Sequence, residues 1–254
     1  VIKKEKIYFV SDLHLGVPNY DSSLAREKLF VQWLDDIKKD ATSLYLMGDV
    51  FDFWFEYKHS IPKYFTRLFG KLAELSDQGI PIFYFTGNHD MWVFNYFEEE
   101  LKIKVHHQPI ELTAGGKTFF IGHGDGLGPR DRAYKILKYF FRSRLCQFLF
   151  EWIHPNIGIG IANFWSRKSR LGNAGKDAKH YGEEEWLLIY SKEKLKEKAY
   201  DYFIFGHRHL PMDVPINEKS RYINLGDWLV YFSYAEFDGE NLTLKYYHKN
   251  QLTS

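Results

Sequence analysis

The chain predicts an α/β fold whose strands deliver polar residues at their carboxyl ends. Three observations carry that expectation. Five short apolar runs each end on residues of metal-ligand type. The first half alternates strand-like and helix-like patterns. The last third carries closely spaced strand signals of antiparallel character.

In order along the chain, Lys6–Val10 is the first apolar run and leads into Ser11-Asp12-Leu13-His14. Phe30, Trp33, Leu34 and Ile37 then recur at i, i+3, i+4 and i+7, the spacing of an amphipathic helix. Ser43–Met47 leads into Gly48-Asp49. A stripe of Ile61, Tyr64, Phe65, Leu68, Phe69, Leu72 and Leu75 predicts a second helix, with Gly79 as its stop. Pro81–Phe85 leads into Gly87-Asn88-His89-Asp90, and an acidic helix-like stretch, Phe94–Leu101, follows. Gly115-Gly116 between Ile110–Thr113 and Lys117–Ile121 predicts a hairpin, whose second arm leads into Gly122-His123-Gly124-Asp125. Asp201–Phe205 leads into Gly206-His207-Arg208-His209. Tyr222–Leu225, Leu229–Phe237 and Leu242–His248 read as an antiparallel set, with a turn at Asp238-Gly239.

The alternation breaks between about 130 and 198. There the chain strings together aromatic and aliphatic helical stretches, a basic glycine-containing stretch, and one more helix at Glu183–Lys198. The expected organisation is one domain over 1–254 with a helical cap inserted at about 130–198. Composition sets further bounds. The aromatic share is high at 19%, so rings are expected to dominate the core. A formal net charge of +1 leaves any basic site local and gives no reason to expect nucleic acid. Cys146 is the only cysteine, which excludes an intrachain disulfide and a thiolate metal site. There is no long apolar run of membrane-spanning type, and Val1–Lys6 has no apolar core of signal-peptide type. A reducing, cytoplasmic setting is expected.

The strand ends carry the chemistry. Open α/β sheets place ligands at the carboxyl ends of their strands. Side by side, these ends would gather Asp12, His14, Asp49, Asn88, His123, His207 and His209 around one spot. Asp12 with His14, and His207 with His209, are two residues apart, and extended backbone points such residues to the same side. Any one pair is a weak signal, and a loop acid beside a core histidine explains it equally well. Their joint occurrence, each after a strand signal, is far stronger. Carboxylate, amide and imidazole donors without sulfur suit Mn, Fe, Zn or Co. Seven donors are too many for one catalytic ion with open positions, whereas two ions sharing a carboxylate use them well. A paired site of this kind suits phosphate-ester hydrolysis. His89 is then the natural proton donor, with Asp90 holding its ring. Asp52 and Asp125 are expected as partners of the ligating imidazoles.

Asp12-x-His14, Gly48-Asp49, Gly87-Asn88-His89-Asp90, Gly122-His123-Gly124-Asp125 and Gly206-His207-Arg208-His209 together resemble the calcineurin-like metallophosphoesterases. That resemblance implies a four-layer αββα sandwich. It also implies one ion held by Asp12, His14, Asp49 and His209, and a second held by Asp49, Asn88, His123 and His207. A narrower likeness rests on Ser11–Gly16, on Gly48-Asp49-Val50-Phe51-Asp52-Phe53-Trp54 and on the helical insertion. It is to the UDP-2,3-diacylglucosamine pyrophosphohydrolases of lipid A synthesis. It departs from their best-known members at His89, where those carry Arg. The narrower likeness implies hydrolysis of the lipid-linked UDP-sugar to UMP and the acylated sugar 1-phosphate. Mn2+ is the first choice of ion, with Zn2+ or Fe2+ as alternatives.

Two readings of the insertion stay open. Its apolar and aromatic residues either pack as a helical pair on the main body, or cap an acyl-chain chamber and touch the inner membrane surface. Arg167, Arg170, Lys176 and Lys179 either form a solvated basic loop or clamp a substrate phosphate. Trp54 either lines the pocket mouth or packs in the core. The competing functions are a metallophosphoesterase of another phosphodiester or nucleotide, a nuclease, and a non-catalytic scaffold on the same fold.

Overall fold

The computed structural model describes residues 5–129, 132–162, 164 and 179–247. The chain runs β1 (Ile7–Val10), α1 (Tyr20–Ile37), β2 (Ser43–Leu46), α2 (Thr66–Asp77), β3 (Ile82–Phe85), α3 (Tyr96–Glu99), β4 (Lys104–His106), β5 (Ile110–Ala114) and β6 (Lys117–Ile121). It continues through α4 (Arg132–Phe141), α5 (Arg144–Glu151), α6 (155–162), a 3-10 turn at Gly182–Glu184 and α7 (Trp186–Glu197). It closes with β7 (Tyr202–Phe205), β8 (Pro211–Pro215), β9 (Arg221–Leu225), β10 (Ser233–Phe237) and β11 (Leu242–Tyr246).

The strands form two sheets. The first has the order β11-β10-β1-β2-β3-β4 and the second β5-β6-β7-β9-β8. β1 through β4 run parallel, and so do β6, β7 and β9. Strand alternation decides how the layers stack. In β1, Tyr8 and Val10 pack beneath α1 and α2, while Ile7 and Phe9 pack against the second sheet. β2 divides the same way, with Leu44 and Leu46 on the helix side and Tyr45 on the sheet side. Phe119, Ile121, Ile204 and Ile223 meet them from the second sheet. That sheet's other face, with Phe203, Phe205 and Tyr222, buries Leu187 and Leu188 of α7. The result is the four-layer αββα sandwich. Strands buried on both faces read as continuous apolar runs, which is why these were legible.

The predicted stripe of α1 is buried throughout. Asn19 caps the helix, its side chain accepting from the Ser22 N–H at 2.9 Å. α2 starts later than its stripe suggests, because Tyr64 adopts φ +95°, which no helix accommodates. Its first N–H groups are met from another helix: Arg67 and Leu68 donate to Glu27 Oε1. Gly79 stops the helix at φ +79°.

The expected antiparallel set is corrected. β9 lies in the second sheet, parallel to β7 and antiparallel to β8, while β10 extends the first sheet antiparallel to β1 and β11 pairs antiparallel to β10 at its edge. Residues 229–232 are not strand but a turn wrapped around Asp227. β4 and β8 had no sequence signal. β4 has three residues, and β8 is a sheet edge bounded by Pro211 and Pro215.

The chain leaves the second sheet after β6 and runs through α4, α5 and α6. The inner faces of these helices rest on loops of the first sheet. Phe141 and Phe150 pack on Phe53, Phe55 and Trp92, and Trp92 Nε1 donates to the Phe141 carbonyl at 2.8 Å. Their outer faces leave Tyr139 and Trp152 each 77% exposed, with Phe140, Leu145, Phe148 and Leu149 also exposed.

Candidate metal centre

Strand register brings the carboxyl ends level. Val10 is opposite Leu46, Leu46 opposite Tyr84, and Ile121 opposite Ile204. The loops that follow are stitched to one another: Asp12 N–H donates to Gly48 O and His14 N–H to Asp49 O, both at 3.0 Å, and Gly206 N–H donates to His123 O at 2.9 Å. Asp12, His14, Asp49, His207 and His209 all have positive φ, between 44° and 67°. The left-handed region costs a non-glycine residue about 1–3 kcal/mol and persists only where the surroundings over-determine it. The two-residue spacing therefore works through alternate left-handed residues rather than through extended backbone.

Two glycines make room for the carboxylates. A Cβ on Gly87 would sit 2.2 Å from Asp49 Oδ1, and one on Gly206 would sit 2.4 Å from Asp12 Oδ2. Both places admit only a bare Cα.

Among the described residues the side chains converge in three groups, one of them His14, Asp52 and His89. Asp12, His14, Asp49 and His209 offer ligand atoms within 4.8 Å of one another, and so do Asp49, His123 and His207. Asp49 belongs to both. Its Oδ2 is 3.8 Å from His14 Nε2 and 3.3 Å from His123 Nε2, while its Oδ1 accepts from the His89 N–H at 2.8 Å. Asn88 Oδ1 lies 3.3 Å from His123 Nε2. His14 and His209 bring their Nε2 atoms to 3.1 Å, and His209 Nε2 is 3.3 Å from Asp12 Oδ1.

The far nitrogens of four rings are also placed. His123 Nδ1 donates to Met47 O at 2.9 Å, and His89 Nδ1 to Asp52 O at 2.8 Å. His14 Nδ1 faces Asp52 Oδ1 at 3.4 Å, and His209 Nδ1 faces Asp227 Oδ2 at 3.5 Å. A carbonyl only accepts, so the His123 and His89 protons sit on Nδ1, and His123 Nε2 faces Asp49.

Burial opposes charge throughout this cluster, and opposite charges restore it in places. Burial works against a charged His123, but the Asp49 carboxylate prevails and lifts the ring to about 10. His209 rises for the same reason beside Asp12. Asp12 and Asp49, despite burial, are held below the usual carboxylate range by His209 and His123 respectively. His207 falls to about 4, through burial and then the charge on His123. His89 is lowered by burial.

The sequence-predicted residues fall into three sets. Asp12, His14, Asp49, Asn88, His123, His207 and His209 come together, with His89 beside them. Its ring centroid is 4.8 Å from that of His14. Two expectations are corrected. Asp90 does not hold the His89 ring. Its carboxylate accepts from Val50 N–H, Gly87 N–H and the Tyr84 hydroxyl, fixing the two loops, while Asp52 holds the ring. Burial and Asp49 raise Asp90 to about 6. Trp54 lines no pocket mouth: it is fully buried among Phe51, Phe69 and Phe97. Lys179 is exposed, with its Nζ 5.3 Å from the centre of the Tyr181 ring. Arg167, Arg170 and Lys176 lie outside the described residues.

One residue escaped the sequence reading. Asp227 follows β9 as Gly226-Asp227, the same signature as Gly48-Asp49. Its Oδ1 accepts from the N–H groups of Leu229, Val230 and Tyr231, while its Oδ2 faces His209. Asp125 is not in the ligand groups, but its hydrogen-bond donors are on α4 rather than on the ligating imidazole expected for it. Tyr134 and Lys138 of α4 both donate to it.

These residues suit divalent ions. Asp12 Oδ1 is buried and faces His209 Nε2 at 3.3 Å without a well-aligned hydrogen bond, a place that a cation held between them would satisfy. Oxygen and imidazole donors without sulfur converge there, with one carboxylate common to both groups.

Comparison with known proteins agrees. The calcineurin-like phosphoesterase family model matches residues 5–211. A UDP-2,3-diacylglucosamine hydrolase of Porphyromonas gingivalis is 39% identical over 257 residues, covering 95% of this chain and 97% of that protein. A protein of the same name from Yersinia pestis bv. Antiqua is 26% identical over 240 residues, covering 93% and 96%. The crystal structure of Vps29 from Chaetomium thermophilum aligns with a TM-score of 0.47 at 12% identity, covering 97% of this chain and 91% of that one. With these convergent Asp and His groups at the strand ends and a family match from residue 5 to residue 211, the chain belongs to the calcineurin-like phosphoesterase family.

Proposed function

We propose that the chain hydrolyses the pyrophosphate of UDP-2,3-diacylglucosamine, yielding UMP and 2,3-diacylglucosamine 1-phosphate for lipid A synthesis. The observation that carries the hydrolytic part is the Asp49 carboxylate, which reaches both ligand groups at once. The substrate rests on the Porphyromonas relative, matched over 97% of its length.

In this reading Asp12, His14, Asp49 and His209 hold one divalent ion, and Asp49, Asn88, His123 and His207 hold the other. Mn2+ is the proposed ion, with Zn2+ or Fe2+ as substitutes. Such a pair supplies neutralisation of the phosphoryl oxygens and activation of water. The chain's own residues do the rest. The Asp52 carbonyl fixes the His89 tautomer, so proton exchange with the phosphoryl or leaving oxygen runs through Nε2. Asp90 keeps the loops after β2 and β3 together, and with them the spacing of Asp49 to Asn88. Asp52 and Asp227 aim His14 and His209.

The insertion is proposed as a cap within a single domain. Its exposed aromatic and aliphatic residues, flanked by the exposed Lys135 and Arg144, would meet acyl chains and the inner membrane surface from the cytoplasmic side. Among the described residues no helix is long and apolar enough to cross a membrane. Lys179 and, in the chain segment before it, Arg167, Arg170 and Lys176 are proposed to receive substrate phosphate.

The test is direct. Metal-reconstituted protein is incubated with UDP-2,3-diacylglucosamine and, in parallel, with bis-p-nitrophenyl phosphate. UMP release from the first, abolished in Asn88→Ala, supports the proposal. Turnover of the second alone replaces it with a phosphodiesterase of other substrates. Inactivity on both with metal bound replaces it with a scaffold.

A further inference from the structure

Arg208 stands between His207 and His209 and is itself fully buried. Its backbone N–H donates to Gly206 O at 2.8 Å, closing a three-residue turn around His207 at φ +67°. This is the rarer, strained hand of that turn. His209, on its other side, is at φ +53°. The side chain leaves the metal cluster in the opposite direction and ends in a built socket. Nε donates to Glu185 Oε1 at 2.5 Å, and Nη2 to Glu185 Oε2 at 3.4 Å and to the Lys179 carbonyl at 2.8 Å. The guanidinium lies 4.4 Å from the centre of the Trp186 ring. Glu185 is also buried.

A buried ion pair is a poor source of stability. Replacing both members by apolar residues is often neutral or better. What a paired, stacked guanidinium does supply is a fixed orientation, since its planar fork meets a carboxylate in few geometries. Here that rigid strut begins between two histidines that serve different ligand groups. It ends at 179–186, where the chain returns from the insertion to α7. We infer that Arg208 is a positioning residue: through Glu185 it holds the strained turn that sends His207 to one ion and His209 to the other. It also ties this aim to the return segment of the insertion. The inference rests on the dinuclear reading above.

The test separates positioning from mere packing. The double variant Arg208→Met/Glu185→Leu removes both charges together and leaves no orphaned carboxylate. Arg208→Lys keeps the charge opposite Glu185 but loses the fork, and serves if the double variant fails to fold. Each is stripped of metal, its thermal midpoint is measured, and Mn2+ is titrated to saturation. The expected result is a metal-free midpoint close to wild type, with Mn2+ affinity lowered about tenfold or more. Co2+-loaded variants are expected to show an altered ligand-field spectrum. Wild-type Mn2+ affinity and Co2+ spectrum in a folded variant would overturn the inference alone. So would a lower metal-free midpoint with unchanged affinity. Fewer than two ions on wild-type protein would overturn the dinuclear reading and this inference with it.

Discussion

Replacing Gly206 by alanine adds one methyl group at a crowded point of the centre. That Cβ would lie 2.4 Å from Asp12 Oδ2 and 2.5 Å from Ser11 Oγ, where ordinary contact begins at 3.4 Å. Something must therefore move by about 1 Å, the difference between those distances. Asp12 Oδ2 is held by the His207 N–H at 2.9 Å, and Asp12 N–H by Gly48 O, so neither the carboxylate nor its loop can withdraw alone. Overpacking of this kind costs about 1–3 kcal/mol of stability. A displacement of about 1 Å in a catalytic group costs about a hundredfold in rate, or about 2.7 kcal/mol of barrier. Gly206→Ala is thus expected to fold with a reduced thermal midpoint, to bind metal weakly and to lose about a hundredfold in kcat. Calorimetry, metal analysis and kcat on one preparation check all three. Wild-type metal content and kcat in the alanine variant would refute the reasoning, because the cluster would then tolerate an atom where none fits.

Other consequences follow from the same geometry. Asp227→Ala removes the carboxylate facing His209 Nδ1, so Mn2+ affinity is expected to fall about 10–100-fold in a titration, while Asp227→Glu recovers part of it. Metal uptake is expected to release protons. In the metal-free chain the His123 proton, held to about 10 against an ordinary 6.5, contributes stability that is whole below 6.5 and lost as pH rises toward 10. An entering ion displaces that proton, so affinity is expected to rise with pH across this window, and titration calorimetry in buffers of different ionisation enthalpy measures it. Trp33→Ala empties a fully buried site lined by Tyr8, Phe30 and Trp228. The loss is expected to be about 3–5 kcal/mol in urea unfolding, without change in metal stoichiometry, since Trp33 lies on the helix side of the first sheet. Trp54→Phe is expected to leave KM unchanged, because that ring lines no pocket mouth.

The donor set was legible because each ligand follows an apolar strand, and all but Asp12 and His14 also follow a glycine, features that are local in sequence. Gly226-Asp227 carries the same signature but was absorbed into an antiparallel C-terminal reading, since nothing in Tyr222–Leu225 says which sheet it joins. Partner assignments were less accessible. Asp52 rather than Asp90 holds His89 because the loops after β2 and β3 cross, a tertiary fact with no sequence period. Glu27, which caps α2 from α1, was hidden for the same reason. The left-handed backbone at Asp12, His14, Asp49, His207 and His209 was also invisible, because propensity argues against it at every one of those residues. Aromatic richness pointed to ring-dominated packing, and the rings around Trp33, Phe51 and Trp92 bear that out. It did not separate Trp54, which is core, from Trp152, which is exposed.

Anomalous diffraction from crystals grown with Mn2+ tests the central claim most directly. Two peaks are expected on either side of Asp49 Oδ2, about 3.5–4 Å apart, one toward His14 and His209 and the other toward His123 and His207. A single peak, or none, with the protein folded and Mn2+ in excess would contradict it.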